Sequence, residues 1–438
     1  MSSATYPENW KGVTIENISS FVGRGIGPNY SDIETDVIAI NQKCIRNGKV
    51  NIDFGRYHDN ASLVRQSAIL NTNDICINST GDGTIGRVGL WDKPNSTSSF
   101  FVDSHVTIVR PISEESDSKY LSELLSSEWI QNDIARYCFT GSTNQVELSR
   151  TELLQLTLYF PELKQQQKIA EILSTVDNLI DQTQNLIDKY TAVKQGMMAD
   201  LFSRGIDLSG TPETNKSYGQ LRPSYEDAPE LYQETELGWI PKDWNIEKLE
   251  NLTTKIIDGT HHTPTYTESG VPFLRVTDVQ SKEINLEKIK FVSEEEHNQL
   301  IKRCNPERGD ILYSKNGTIG IPKIVDWSWD FSVFVSLCLI KPDHSQIFNK
   351  YLELVLTTEV IWTQIRIRAK QGTVTNLHLE EIREFEIPLP NSNEQKEIVI
   401  RASALQNKID NEQDSLNKYK LIKKGLMQDL LTGKVEVD

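Results

Sequence analysis

Apolar side chains recur at Ile169, Ile172, Val176, Leu179, Leu186, Tyr190, Val193 and Met197, with Thr183 standing at the one polar position in an unbroken alternation of three- and four-residue steps. That spacing is the a/d heptad of a long helix with a single narrow seam. A second stretch reads Ile398, Ala402, Leu405, Ile409, Glu412, Leu416, Tyr419, Ile422, Leu426 and Leu430, with Glu412 as its polar interruption. Upstream of each helix the period shortens to β-branched and aromatic runs broken by Gly, Pro and Asn, which predicts strands and turns over roughly 10–110 and 244–341. A helix (118–138, 349–369), a Gly-Thr turn and a short strand follow in both places. The strands LQLTLYFP (154–161) and REFEIPLP (383–390) end on prolines, which stop the sheet before the long helix begins.

The two halves are copies of one plan. PENW (7–10) returns as PKDW (241–244) and GTIG (83–86) as GTIG (317–320), each 234 positions later. KYLSELL (119–125) returns as KYLELVL (350–356), and Gly141 returns as Gly372, each 231 positions later. KYTAVKQGMMADL (189–201) returns as KYKLIKKGLMQDL (418–430), 229 positions later, the same offset that separates Thr183 from Glu412. Landmarks kept in order with so little drift mark an internal duplication. Helices of this length span ~60 Å, and their stripes are too narrow to enter a globular core. They are therefore expected to pack on each other as an antiparallel pair. The alternative is a coiled coil between chains.

The first copy of the turn sits in GDGTIG (81–86), a formal match to the dinucleotide-binding G-x-G-x-x-G. That loop must open a helix, yet RVGLWDKPNSTSSFFVDSHVTIVR follows it and reads as strand, turn, strand. In the second copy, SKNGTIG, Lys315 precedes Asn316 where the loop would need its first glycine. The shared feature is G-T-I-G, a tight turn after a strand, and no nucleotide cofactor is expected.

Bulk composition narrows the class. A chain of 438 residues with 37% hydrophobic and 25% charged content is a soluble multidomain protein. No run approaches the ~20 apolar residues of a membrane span. The start, MSSATYPENWKG, has no signal-peptide character, and the five cysteines (Cys44, Cys76, Cys138, Cys304, Cys338) form no C-x-x-C pair. Buried thiols in a reducing cytoplasm are expected. The net charge of −16 is unusual for a protein that touches nucleic acid, but it is uneven: 222–250 holds eight acids against three bases, whereas IRIRAKQGT (365–373) holds three bases and no acid.

ELGWIPKDW (236–244), IDGTHHTPTYTESGVPFLRVTD (257–278), GDILYSKNGTIG (309–320), PLPNSNEQKEI (388–398) and KKGLMQDLLTGKV (423–435), with weaker first-half versions in PENW, GTIG, FPELKQQQKIAEI (160–172) and KQGMMADLF (194–202), carry a resemblance. The chain resembles, over nearly its whole length, the specificity subunit of Type I restriction–modification enzymes. Between residues 11 and 75 few landmarks can be placed. The resemblance implies an α+β chain with two β-rich target recognition domains in pseudo-twofold repeat, separated by two long helices in an antiparallel coiled coil. The expected layout is domain 1 over 1–160, helix 161–204, a polar linker 205–235, domain 2 over 236–391 and helix 392–433. It implies that each domain reads one half of a bipartite, asymmetric site in double-stranded DNA, and a ~60 Å rod exceeds the ~34 Å of one DNA turn. It further implies docking of two methyltransferase subunits and a restriction/translocase subunit. S-adenosylmethionine and ATP are then expected on those partners, with no cofactor on this chain.

Chemistry nominates the DNA contacts, because base edges are read by Arg, Lys, Asn, Gln, Ser and Thr and phosphates by Lys, Arg and backbone amides. In the second half these are Thr260, His261, His262, Thr263, Tyr266, Arg275, Lys315, Asn316, Thr318, Lys370, Gln371 and Thr373. In the first half they are Arg24, Arg56, Tyr57, Thr84, Arg87, Ser142, Thr143 and Asn144. His261 and His262 have no third ligand at metal-site spacing. No Walker loop, adenine-methylation loop or nuclease constellation is present, so the chain is expected to supply an address and no catalysis. The competing reading is a duplicated scaffold that joins two identical partners and ignores DNA.

Overall fold

In the first repeat the strand Val106–Pro111 lies between Ser19–Arg24 and Ile75–Asn78, antiparallel to both. In the second, Leu337–Pro342 lies between Thr253–Asp258 and Ile311–Ser314 in the same way. Registers agree as well: Thr107 faces Arg24 and Ile77, and Cys338 faces Asp258 and Tyr313. The computed structural model describes residues 6–59, 64–142, 146–281, 283–368 and 376–437. The first sheet continues through Val88–Leu90, Gly48–Val50 and Ile45–Arg46, the second through Pro322–Ile324. Beside each is a three-stranded sheet. Val37–Ile40 pairs antiparallel with Arg56–Tyr57 and parallel with Ser99–Val102; Val271–Leu274 pairs antiparallel with Lys290–Val292 and parallel with Ser332–Val333. Val37–Ile40 thus takes the place of Val271–Leu274 in the very stretch where the sequence offers few landmarks. The fold is α+β, two β-rich repeats with two long helices, Leu163–Ser203 and Ser392–Leu430.

The chain divides into two compact units, Met1–Asn185 with Glu412–Asp438, and Leu186–Asn411. In the first unit Ile169, Ala170 and Leu173, at the start of one long helix, share a core with Leu430 and Leu431, at the end of the other, and with Tyr120 and Leu121 of the repeat. In the second unit the roles reverse: Leu201 and Phe202 share a core with Ile398, Val399, Tyr351 and Leu352. Start therefore meets end within each unit, an antiparallel pairing closed inside the chain.

The seam itself differs from the expected one. Leu179 and Leu186 are 38% exposed and Val193 is 49% exposed, and Ile172 is only half-buried. The inward line instead runs Ile169, Leu173, Val176, Ile180, Thr183, Ile187, Tyr190, Lys194, Met197, Leu201. Shifted by 229, it becomes Ile398, Ala402, Leu405, Ile409, Glu412, Leu416, Tyr419, Lys423, Leu426, Leu430, so Ile422 is also displaced from the seam and is 40% exposed. The physical reason is that a lysine belongs to the line in both helices. Lys423 donates to Glu123 Oε1 at 2.9 Å and Asp177 Oδ2 at 2.8 Å, and Lys194 donates to Gln406. Burial pushes the Glu123 carboxyl up, against the pull of Lys423, and burial lowers Lys194. Lysine stems cover apolar surface while their heads find polar partners.

The helices expected over 118–138 and 349–369 are each broken in two. Ser118–Ser126 is followed by Glu128–Asp133, and Asn349–Leu356 by Glu359–Arg368. At the breaks the Ser127 hydroxyl donates to Leu124 O at 2.6 Å and the Thr358 hydroxyl to Val355 O at 2.7 Å. Such side-chain bonds compete with the helix ladder. Each long helix is then anchored by a buried glutamine in its first turn. Gln166 accepts from Asp117 N at 3.0 Å and donates to Pro161 O at 3.1 Å; Gln395 accepts from Phe348 N at 2.8 Å and donates to Pro390 O at 2.9 Å.

Segment 205–235 is held in place. Ile206 bridges Leu221, and the Arg222 guanidinium reaches the fully buried Glu394 carboxylate at 2.5 and 3.1 Å and Asp243 at 2.7 Å. Tyr232–Thr235 pairs with Gly238–Pro241. All five cysteines are buried thiols, and burial pushes Cys44 up to about 11 and Cys304 to about 12.

Candidate nucleic-acid interface

At the end of their first sheet strand both repeats build the same backbone frame. Gly25 N donates to Val106 O at 3.1 Å, and Gly259 N to Leu337 O at 3.3 Å. A Cβ on Gly25 would lie 1.8 Å from Val102 O, and one on Gly259 2.0 Å from Val333 O, so both positions demand glycine. Ser79 N donates to His105 O and its carbonyl accepts from Leu148 N; Lys315 N donates to Ser336 O and its carbonyl accepts from Leu377 N. The G-T-I-G turns close on this frame, Gly86 N to Asn78 O at 2.8 Å and Gly320 N to Ser314 O at 2.9 Å. Both glycines adopt φ of +83°. The first turn is two residues longer between strand and glycine, which is why only that copy imitates a dinucleotide loop.

On this common frame the side chains diverge: Arg24 against Asp258, Ile26 against Thr260, Ser79 against Lys315. In the second repeat Asp258 is a hub. Its carboxylate, 4% exposed, accepts from Arg303 Nη2 at 2.6 Å, lies 3.2 Å from His261 Nε2, and lies 3.4 Å from Lys315 Nζ. Burial raises its pKa, but the bonds from Arg303 and His261 and the charge of Lys315 outweigh that and hold it below the ordinary aspartate value. Three cationic or protonatable groups thus converge on one acid.

The other second-repeat candidates divide by burial. Thr260 is buried, its hydroxyl 2.8 Å from His262 Nδ1. His262 is 69% exposed and 3.8 Å from Glu296. Thr263 and Thr318 are exposed, and Tyr266 stands exposed with the Lys290 ammonium 5.7 Å from its ring. Arg275 is engaged locally, its Nε and Nη2 each 3.1 Å from Asp278, and this pairing pulls its pKa up. Lys315, nominated as a DNA contact, is buried beside Asp258. Asn316 forms a bridge with Asn376, and its buried Oδ1 has no partner among the described residues. Lys370, Gln371 and Thr373 lie outside the described residues.

In the first repeat Arg24 donates to Leu148 O at 3.0 Å and pairs with Glu147 at 3.0 Å. Arg56 lies 3.7 Å from the centre of the exposed Tyr30 ring, next to exposed Tyr57. Thr84 and Arg87 close the turn: the Thr84 hydroxyl donates to Gly81 O at 3.2 Å and Arg87 Nη2 to Gly83 O at 2.9 Å. Ser142 is exposed, and Thr143 and Asn144 lie outside the described residues. Sequence reasoning missed Arg303, Asp258, Tyr30 and Glu147. Asp258 carried a signal, since it stands in the IDGTHH string, whereas Arg303 in KRCNPERG has no repeat counterpart to mark it. Among the described residues no group of three His, Cys, Asp or Glu could hold a metal ion, and no helix is long and apolar enough to cross a membrane.

The model of the Type I restriction modification DNA specificity domain matches this chain twice, over 7–191 and 241–420. The chain is 27% identical over 359 residues to the putative type I restriction enzyme MjaX specificity subunit of Methanocaldococcus jannaschii, covering 81% of this chain and 76% of that one. It is 24% identical over 392 residues to the MjaVIII specificity subunit of the same organism, covering 86% and 82%. Its fold is similar to the crystal structure of the Type-I restriction-modification system S subunit from M. genitalium, with TM-score 0.58, 18% identity and 96% of each chain covered.

Proposed function

The chain belongs to the Type I restriction–modification DNA specificity family, and from that premise we propose that its two repeats read the two unlike halves of a bipartite, asymmetric site in double-stranded DNA. The observation that carries this reading is one backbone frame bearing different side chains in each copy: Arg24, Ile26 and Ser79 in the first, Asp258, Thr260 and Lys315 in the second. A frame kept by its hydrogen bonds, with its side chains free to vary, is how a duplicated reader acquires two specificities.

The chain docks two methyltransferase subunits and is joined by a restriction/translocase subunit. It directs adenine methylation and restriction while those partners carry S-adenosylmethionine and ATP. Duplication again supports this. Each unit has a cavity at the break between its paired short helices, about 570 Å³ in the first and about 720 Å³ in the second. Their walls correspond under the repeat: Ser127 and Thr358, Glu128 and Glu359, Lys423 and Lys194, Met427 and Met198. Equivalent seats fit two copies of one partner, and methionine walls adapt to an inserted side chain.

A base-modification map of host DNA with and without this gene tests the reading. Loss of methyladenine at one split, asymmetric motif is expected. An unchanged map, together with a purified methyltransferase complex that binds all DNA sequences equally, would leave only the scaffold.

A further inference from the structure

We propose that Arg303, His261 and Lys315 form a phosphodiester seat in the second repeat, without a counterpart among the described residues of the first, with Asp258 as the residue that positions them. The inference rests on the DNA-reading role above and adds the ligand chemistry of this one cluster.

Charge compensation sets the cluster apart. Arg275 has its own carboxylate in Asp278, and Lys341 has two, Glu307 at 2.8 Å and Asp310 at 2.7 Å. Around Asp258 a single acid answers two permanent cations and a histidine. Glu296 is turned to other groups, 3.8 Å from the neighbouring His262 and accepting from Thr265 N at 3.2 Å.

Geometry gives the surplus charge a direction. Asp258 is buried and touches its cations from below, while Arg303 and His261 are 53% and 62% exposed. Arg303 engages Asp258 through Nη2 and His261 through Nε2. The other edge of the guanidinium and Nδ1 of the imidazole carry no partner among the described residues. Lys255 donates to Arg303 O at 2.7 Å and fixes the loop that presents it. Lys315 adds a buried positive charge beneath the pair. A planar fork beside an imidazole that becomes a second donor on protonation, over an uncompensated charge, matches the tetrahedral oxygens of one phosphate.

Among its described residues the first repeat lacks this arrangement. Arg24 replaces the hub carboxylate and is answered one-to-one by Glu147, and Ser79 replaces Lys315. A phosphate seat in one half only would fix the register of the second domain on its half-site while carrying no sequence information itself.

Two sources share this chemistry, a DNA backbone phosphate and free inorganic phosphate. The test uses the complex of this chain with its methyltransferase partners. Arg303→Ala should weaken binding to all DNA sequences alike and reduce the slope of log K against log salt by about one, while Arg303→Lys recovers the slope. Methylphosphonates placed singly along the second half-site should weaken the unaltered complex at one nucleotide and leave Arg303→Ala indifferent there. Asp258→Asn, which keeps both cations, should blunt the same nucleotide's effect, a readout that a purely structural role would not move. A folded Arg303→Ala complex that binds DNA with unchanged slope overturns the seat. Competition by inorganic phosphate that spares DNA binding assigns the cluster to the free ion and overturns the backbone contact. An unaltered complex that binds no DNA overturns the reading role itself, and the seat with it.

Discussion

Arg24 and Asp258 occupy the same strand-end position in the two repeats, each followed by a glycine that admits no side chain, and they carry opposite charge. The pairing partners invert accordingly, Glu147 for the arginine and Arg303 with Lys315 for the aspartate. Backbone sterics hold the frame and leave the charge at its tip open to change. A duplicated fold can diverge in recognition at such a position without cost to its core.

That inversion makes the second repeat sensitive to acid in a defined way. The Asp258 pKa is depressed in the folded chain, so its contribution is fully present above the ordinary aspartate value of about 3.9 and is lost as pH falls through the lowered one. Asp258→Asn should be less stable than the unaltered chain at neutral pH, with the gap closing as pH drops below about 4. Denaturant melts across pH measure it, and a gap that stays constant with pH would refute the linkage.

Arg222 and Glu394 predict a larger effect. Their side chains are 9% and 0% exposed, and Glu394 also accepts from Ile206 N at 2.7 Å. Glu394→Ala leaves the Arg222 guanidinium with Asp243 as its remaining carboxylate and takes the acceptor from Ile206 N, and should cost about 1–3 kcal/mol, whereas Arg222→Met paired with Glu394→Leu should recover much of that loss. Equilibrium unfolding of the single and paired variants checks both statements. Equal losses in the two would show that the pair is not what holds segment 205–235.

The duplication, the fold class and the existence of both long helices are legible in the sequence, because steric landmarks such as GTIG and PENW/PKDW serve the same purpose in each copy. The site is less so. Thr84 and Arg87 look like DNA contacts by residue type, yet both bond to the turn that presents them. Arg303 reaches Asp258 from 45 positions away, a contact that no spacing rule encodes. The seam shows the same limit. Leu179 and Leu186 are matched in hydrophobicity by their neighbours Ile180 and Ile187, so only Val193 against Lys194 separates the two lines in the sequence, and the lysine's partners become visible only in three dimensions.

Gly196 and Gly425, equivalent under the repeat, sit inside the long helices, and a Cβ added at either would meet nothing within 4 Å. Glycine in a helix interior costs about 1 kcal/mol relative to alanine. Gly196→Ala and Gly425→Ala should therefore each stabilise the isolated chain by up to about 1 kcal/mol, read as a rise in Tm. A fall in Tm would mean that the helices need local freedom at these points.

The seam register gives the sharpest contrast within one helix. Leu173 is fully buried, and Leu179 is 38% exposed. A hydrophobicity pattern assigns the seam to Leu179, whereas packing assigns it to Leu173 and its successors at Ile180 and Ile187. Leu173→Ala should cost about 2–5 kcal/mol, as for other truncations in closed cores. Leu179→Ala should change stability by no more than about 0.5 kcal/mol, the range of surface substitutions. Both residues lie in the first unit, so a single denaturation series compares them under one reference state. Similar losses at the two sites would restore the original heptad and displace the lysines from the seam. A loss confined to Leu173 would leave Leu179 on an outward face, where an effect on subunit assembly without an effect on unfolding would mark it as a contact with a partner.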